Sequence, residues 1–175
     1  MSAEFIHLVP NFWVSPQIDA EDLAAAKALG VTLVINNRPD GEEFDQPTSG
    51  DIEAAAAALG LSYAAIPVGP MGVSQEHLDS FDRAVGACTG GVLAFCRSGT
   101  RSTILRALSE ARKGRSADAI IGEAAAAGYN LSGQRRAIEA AARYRAIAAR
   151  TIDEDVARTL EVKALAVATP EVTAG

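Results

Sequence analysis

Val92-Leu93-Ala94-Phe95-Cys96-Arg97-Ser98-Gly99-Thr100-Arg101-Ser102 is the stretch that decides how this chain is read. Its four leading apolar residues predict a strand buried on both faces. The strand runs straight into a cysteine, then a short loop with one glycine and two arginines. A helix from Ser102 to Lys113 follows, stopped by Gly114. A strand, loop and helix in this order aim the loop's N–H groups at one point and add the positive end of the helix. Gly99 lets the backbone curl with a positive φ. Arg101 offers a planar fork that suits an oxyanion, and Arg97 adds a second cation. A free thiol is mostly protonated at neutral pH, so a nucleophilic cysteine needs such surroundings. Cys96 therefore reads as a nucleophile in an anion cradle made by Arg97, Ser98, Gly99, Thr100 and Arg101, not as an inert buried cysteine. Ser102 either hydrogen-bonds the thiolate or caps the helix.

Outward from this loop, short aliphatic runs alternate with alanine-rich helical stretches. That pattern predicts an α/β fold with a central, mostly parallel sheet flanked by helices. Upstream, Phe12-Trp13-Val14 predicts a short edge strand, Asp19 an N-cap with Asp22 in the reciprocal position, and Val31–Ile35 a buried strand. A polar loop from Asn36 to Pro47 leads to a helix capped at Thr48 or Ser49 and ended by Gly60. Leu61 to Val68 predicts another strand. Gly69-Pro70-Met71-Gly72 is a turn, and Ser74 opens a helix with Leu78, Phe81 and Val85 on one face. Helices over Ala117–Ala127 and after Ser132 follow, with Thr151 capping a further segment and a frayed tail after about Val167. The expected organisation is a catalytic domain over residues 1–132 and a helical extension and tail over 133–175. The arginines of that extension read as a solvated face, or as a surface for a partner or a second copy in a homo-oligomer.

Composition narrows the function. The chain has 175 residues, 49% of them apolar, with 16 Lys and Arg against 22 Asp and Glu and a net charge of −6. That acidity and the 5% aromatic content argue against a nucleic-acid partner. No apolar run spans a bilayer and no signal peptide is visible, so the expectation is a cytoplasmic protein without a membrane partner. Cys88 and Cys96 cannot form a disulfide framework, and with His7 and His77 they supply no metal-ligand spacing. No cofactor or metal is expected.

The loop's length bears on which anion it holds. Cysteine phosphatase loops place five residues between cysteine and arginine, whereas here only Arg97, Ser98, Gly99 and Thr100 intervene. The tighter ring suits a smaller group such as a persulfide sulfur, and Cys-Arg-Ser-Gly-Thr-Arg-Ser resembles the active loop of single-domain rhodaneses. The wider sequence resembles another family. Asn36-Asn-Arg-Pro-Asp-Gly-Glu42, Gln46-Pro47, Tyr63-Ala-Ala-Ile-Pro-Val68 and the cysteine loop, in that order, are similar to the beta-lactamase hydrolase-like, phosphatase-like domain family. The resemblance covers roughly residues 5–132. It implies the fold of dual-specificity and tyrosine phosphatases, and either phosphatase or sulfurtransferase chemistry.

In similar phosphatases an aspartate after the Ile-Pro-Val-type strand protonates the leaving alcohol. Here that place reads Gly69-Pro70-Met71-Gly72, with Asp40, Glu42 and Glu43 as carboxylates on the other loop. Sulfur transfer has less need of an acid. The short loop and the missing acid therefore favour a sulfurtransferase working through a Cys96 persulfide. Its partners would be a small anionic donor, thiosulfate or a persulfide, and a thiol acceptor. The alternatives are a cysteine phosphatase acting on a phosphoester with the same Cys96 and Arg101, and a non-catalytic anion-sensing or adaptor module. Arg38 and Asp40 are expected either to orient the substrate or to pair with each other in the turn. Arg97 faces the incoming anion or pairs with an acid such as Glu42. Cys88 reads as a small buried hydrophobe, with a resolving thiol as the alternative.

Overall fold

In the computed structural model, residues 3–144 are described. Pairing begins with an antiparallel hairpin, β1 (Ile6–Val9) and β2 (Phe12–Ser15), turned at Asn11 with φ 60°. Asn tolerates that left-handed conformation because its short polar side chain bonds locally. Helix α1 (Asp22–Ala28), strand β3 (Val31–Asn36), helix α2 (Ser49–Ala58) and strand β4 (Ser62–Ala65) follow. Next come helix α3 (Gln75–Ala87), strand β5 (Gly91–Phe95), helix α4 (Thr100–Arg112) and helix α5 (Ala117–Ala126). A 3₁₀ turn at Ser132–Gln134 leads into helical residues 135–144. The sheet order is β1-β2-β5-β3-β4, and every pair except β1–β2 is parallel. The expected mostly parallel sheet between helices is what forms.

Strand β5 sits at the centre, held by β2 on one side and β3 on the other, and all five of its residues are buried. Its alternate side chains feed two separate cores. Val92 and Ala94 join the cluster under α3, α4 and α5, whereas Leu93 and Phe95 join the one under α1 and α2. With both faces covered, an unbroken apolar run is the only pattern that fits. Thr48 caps α2 in a reciprocal box with Asp51, and Ser74 caps α3 in one closed by the His77 ring nitrogen.

Several expectations are corrected. Phe12–Val14 is not an edge strand: β1 covers it and becomes the edge itself. Strand β4 is shorter than Leu61–Val68 because Pro67 cannot donate to the ladder, although the Ile66 and Val68 N–H groups still bond to the Asn36 and Asn37 carbonyls at 2.8 and 3.0 Å. Helix α4 starts at Thr100 rather than Ser102, because Gly99 serves as its N-cap. Asp22 does accept from the Asp19 N–H at 2.8 Å, but Glu21 is the N-cap of α1. Within the expected extension, Ile138 and Ala141 are buried in the first core cluster. Thr151 and the tail after Val167 lie outside the described residues, as do Arg145 and Arg150. Among the described residues, no helix is long and apolar enough to cross a membrane.

Candidate active site

The carboxyl ends of β2, β3 and β5 deliver the site. Cys96 follows the last residue of β5, and its side chain is buried. The Cys96 N–H bonds the Ser15 carbonyl and the Gln17 N–H bonds the Arg97 carbonyl, each at 3.4 Å, so the β2–β5 pairing continues past the strands. The loop then curls back on itself. Gly99 has φ 84°, and its N–H points inward to the Cys96 Sγ at 3.1 Å. The Gly99 carbonyl is held in turn by the Thr103 N–H and hydroxyl at 3.0 and 2.9 Å. Tyr129 closes the outside, its hydroxyl donating to the Ser98 carbonyl at 3.3 Å. Burial first, and then the charge of Cys96, pushes the Tyr129 phenol up from its ordinary value. The sulfur therefore faces a backbone donor at the start of α4, a geometry that stabilises negative charge.

Beside the cradle, three arginines interlock with two glutamates. Arg101 donates to both Glu42 oxygens at 2.6 and 2.8 Å and to the Val68 carbonyl at 2.8 Å. Its bond to Glu42, and secondarily the charge of Cys96, raise the guanidinium pKa. Arg38 is buried. It donates to Glu42 at 3.0 Å, to Gln17 at 2.8 Å and to Glu43 at 2.7 Å. Arg97 is exposed and reaches Glu43 at 2.7 Å. The Arg101 fork, helped by Arg38, holds the Glu42 carboxyl far below the usual range, at about 2. Arg38, more than any other group, lowers the Glu43 carboxyl as well.

The sequence-selected residues separate here. Cys96, Arg97, Ser98, Gly99, Thr100 and Arg101 come together as one loop. Arg38 joins it through Glu42 and Glu43, its buried guanidinium donating to both and to Gln17. Asp40 turns away, accepting the Ser49 N–H at 2.8 Å at the start of α2, and it does not pair with Arg38. Ser102 is the third residue of α4, not its cap, and its buried hydroxyl has no hydrogen-bond partner among the described residues. Arg97 pairs with Glu43 rather than Glu42. Cys88 is half-buried, its thiol against Thr32 Oγ1 at 3.2 Å and remote from the loop. Tyr129 is the member that sequence reasoning missed; Glu42 was named as a nearby carboxylate, but not as the partner of Arg101 and Arg38. Among the described residues, no cluster of His, Cys, Asp and Glu is placed to hold a metal.

Glu42 has a consequence for acid stability. Its folded pKa lies below the ordinary value of 4.5, so its contribution is fully present above that value and is lost as pH falls toward about 2. Glu42→Gln should therefore flatten the decline in thermal stability between those two pH values. A wild-type and a variant curve that fall in parallel there would refute the assignment.

The model of the "Beta-lactamase hydrolase-like protein, phosphatase-like domain" family matches residues 4–113. The chain belongs to this family. A beta-lactamase hydrolase-like protein of Xylella fastidiosa is 38% identical to this phosphatase-like domain over 102 residues, 58% of this chain and 24% of the relative. The chain thus spans about a quarter of the length of the curated relative it matches. Among solved structures, a Neisseria meningitidis protein (nma1982) assigned as a phosphatase is 32% identical, covering 77% of this chain and 95% of its own, with a TM-score of 0.69. The core catalytic domain of the PP-IP phosphatase SIW14 from S. cerevisiae shares the fold at 16% identity and a TM-score of 0.60, over 79% of this chain and 86% of its own. The phosphatase-like domain thus has the cysteine-phosphatase fold. These matches favour the phosphatase reading over the sulfur-transfer reading that the four-residue gap suggested.

Proposed function

We propose that this domain is a cysteine-dependent phosphoester hydrolase. The observation that carries the reading is the Gly99 N–H aimed at the Cys96 sulfur, with the Arg101 guanidinium beside it. In the first step the Cys96 thiolate attacks phosphorus, an S–P bond forms, and the P–O bond to the leaving group breaks. Loop N–H groups and Arg101 stabilise the equatorial oxygens. In the second step water attacks the same phosphorus, the S–P bond breaks, and phosphate leaves with the thiolate restored.

The leaving group is constrained by what surrounds it. Gly69-Pro70-Met71-Gly72 brings no carboxylate to the place where an acid would stand. Glu42 is held ionised by Arg101, so it has no proton to give. Departure without an acid is fastest for groups that are stable as anions, such as aryl oxides. The same two features, a ring of four intervening residues and no acid, support a second reading. There the thiolate attacks the outer sulfur of thiosulfate, the S–S bond breaks, sulfite leaves, and a Cys96 persulfide passes its sulfur to a thiol.

One experiment separates the two. The protein is incubated with p-nitrophenyl phosphate or with thiosulfate, quenched, digested and weighed. A phosphoryl group on the Cys96 peptide together with free phosphate is the expected result. An added sulfur that cyanide removes, with no phosphoryl adduct, would transfer the assignment to sulfur transfer. If neither adduct forms, both chemistries fail and the anion-sensing module takes their place.

A further inference from the structure

Arg106, in the middle of α4, is 9% exposed, and its guanidinium makes no hydrogen bond among the described residues. The carboxylates beside it, Glu123 and Glu110, stand at 3.7 and 4.0 Å, too far to accept. Other cations hold both of them. Lys113 donates to Glu110 at 2.8 Å, Arg115 reaches the same carboxyl at 3.4 Å, and both terminal nitrogens of Arg115 bind Glu123. The Phe12 ring lies against one face of the guanidinium, 5.3 Å from its centre, which leaves the N–H groups on the edge unclaimed. Burial pushes the Arg106 pKa down from its ordinary value, and the attraction of Glu110 and Glu123 does not make up the loss. Buried guanidinium groups are ordinarily paired and hydrogen-bonded, so this one calls for an acceptor. Arg106 opens on a cavity of about 210 Å³ at the start of β5, the opposite end of that strand from Cys96. Phe12, Phe81, Val85 and Val92 wall the cavity, and Glu110 and Lys113 join Arg106 on its charged side. Water filling it would find few partners on those apolar walls.

We propose that this cavity binds a small monocarboxylate, its carboxylate on the Arg106 guanidinium and its apolar body against Phe81, Val85 and Val92. Charge selects the class. The ion-pair network around Arg106 sets three cations, Arg106, Lys113 and Arg115, against two carboxylates, Glu110 and Glu123, so a monoanion neutralises it. A phosphate dianion would overshoot, and it would meet Glu110 in the same wall. A carboxylate also matches the planar fork with two parallel hydrogen bonds. Shape sets the rest. The cavity is smaller than drug-sized sites and holds one ring or a chain of about six carbons. Its walls reward such a body over a bare acetate, because each buried methylene leaves water. The site is independent of the cysteine loop. Arg106 follows Arg101 by five positions on α4 yet lines the other end of the sheet, so an occupant there is compatible with phosphoester hydrolysis and with sulfur transfer alike.

Calorimetry on the full chain with acetate, hexanoate, benzoate and neutral hexanol is the test. Hexanoate and benzoate should each bind about tenfold or more tighter than acetate, through burial of the apolar body. Hexanoate should exceed hexanol by about tenfold or more, through the charge-assisted hydrogen bonds. Arg106→Met keeps the bulk and removes the charge, so it should bring the ratio of hexanoate to hexanol close to one. Val85→Phe fills the apolar half and leaves the charge, so it should weaken hexanoate by about tenfold. That variant decides the matter if Arg106→Met gives no cooperative melt. Arg101→Met should leave hexanoate affinity unchanged. Binding that Arg101→Met abolishes would move the carboxylate to the cysteine loop and overturn the site. Equal affinity for hexanoate and hexanol, affinity untouched by both Arg106→Met and Val85→Phe, or no heat at millimolar ligand would each overturn it as well.

Discussion

Cys96→Ser is expected to lower turnover of an aryl phosphate by about 10⁴-fold or more while the protein stays folded. Serine fits the same space, and its hydroxyl can accept the Gly99 N–H that reaches the sulfur at 3.1 Å. What it lacks is the nucleophilicity of sulfur. A hydroxyl needs a base to lose its proton, and the cradle provides none: Glu42 is locked to Arg101 and Arg38, and Glu43 to Arg38 and Arg97. The loss should therefore fall on kcat and kcat/KM together, with anion binding retained. Steady-state kinetics and a thermal melt on the same preparation check both halves. Residual activity within tenfold of the wild type would show that phosphate release does not run through this thiol.

Gly99→Ala is expected to damage stability and rate at once. With φ at 84°, any Cβ at this position is strained by about 1–2 kcal/mol. There is a second cost. The added carbon would overlap the Tyr129 hydroxyl and crowd the Ser15 carbonyl at 3.4 Å, and Tyr129 belongs to the core cluster and cannot swing clear without opening it. A total of about 3–4 kcal/mol is reasonable for strain plus overpacking. Gly128 provides the control. It has φ 90° but nothing within 4 Å of its Cβ direction, so Gly128→Ala should show the backbone strain alone. Urea unfolding of the two variants reads the difference. Equal destabilisation would mean that Tyr129 yields easily and does not brace the loop. Because the Gly99 N–H faces the nucleophile, the variant should also lose rate by a larger factor than Gly128→Ala does.

How much of this was readable beforehand depends on the range of the interaction. Strand β5 and the cysteine loop announce themselves through contiguous residues: an apolar run, a nucleophile, a glycine with positive φ and the Arg101 fork. The Thr48 and Ser74 caps are equally local. The hairpin strand β1 was not readable, because four residues interrupted by His7 carry too little alternation to signal a strand. The start of α4 was misplaced because a glycine, lacking a side-chain cap, serves as the cap. Glu42 was visible as a nearby acid, yet its partner Arg101 lies 59 residues away, a distance only the sheet order resolves. Arg38 and Asp40 looked equivalent in one turn. Burial separates them, sending one inward to the glutamates and the other to the start of α2. Loop length and the family match point different ways: the four-residue gap suggests a smaller anion, whereas the family match favours phosphatase chemistry.

The place of β5 in the sheet also bears on how the chain is made. Phe12 pairs with Val92 and Val34 with Leu93, so the central strand is supplied last of the five. Until it emerges from the ribosome, β1–β2 and β3–β4 are separate ribbons whose inner edges have no partner, the condition under which sheets mispair and aggregate. Its insertion joins the ribbons, covers both edges and brings Cys96 to its cradle in the same motion. A nascent or truncated chain that stops short of Phe95 is thus an unfinished sheet, not a weaker form of the domain. Oxyanion affinity should accordingly arise together with cooperative folding rather than before it, making ligand-dependent protection a direct gauge of completed synthesis.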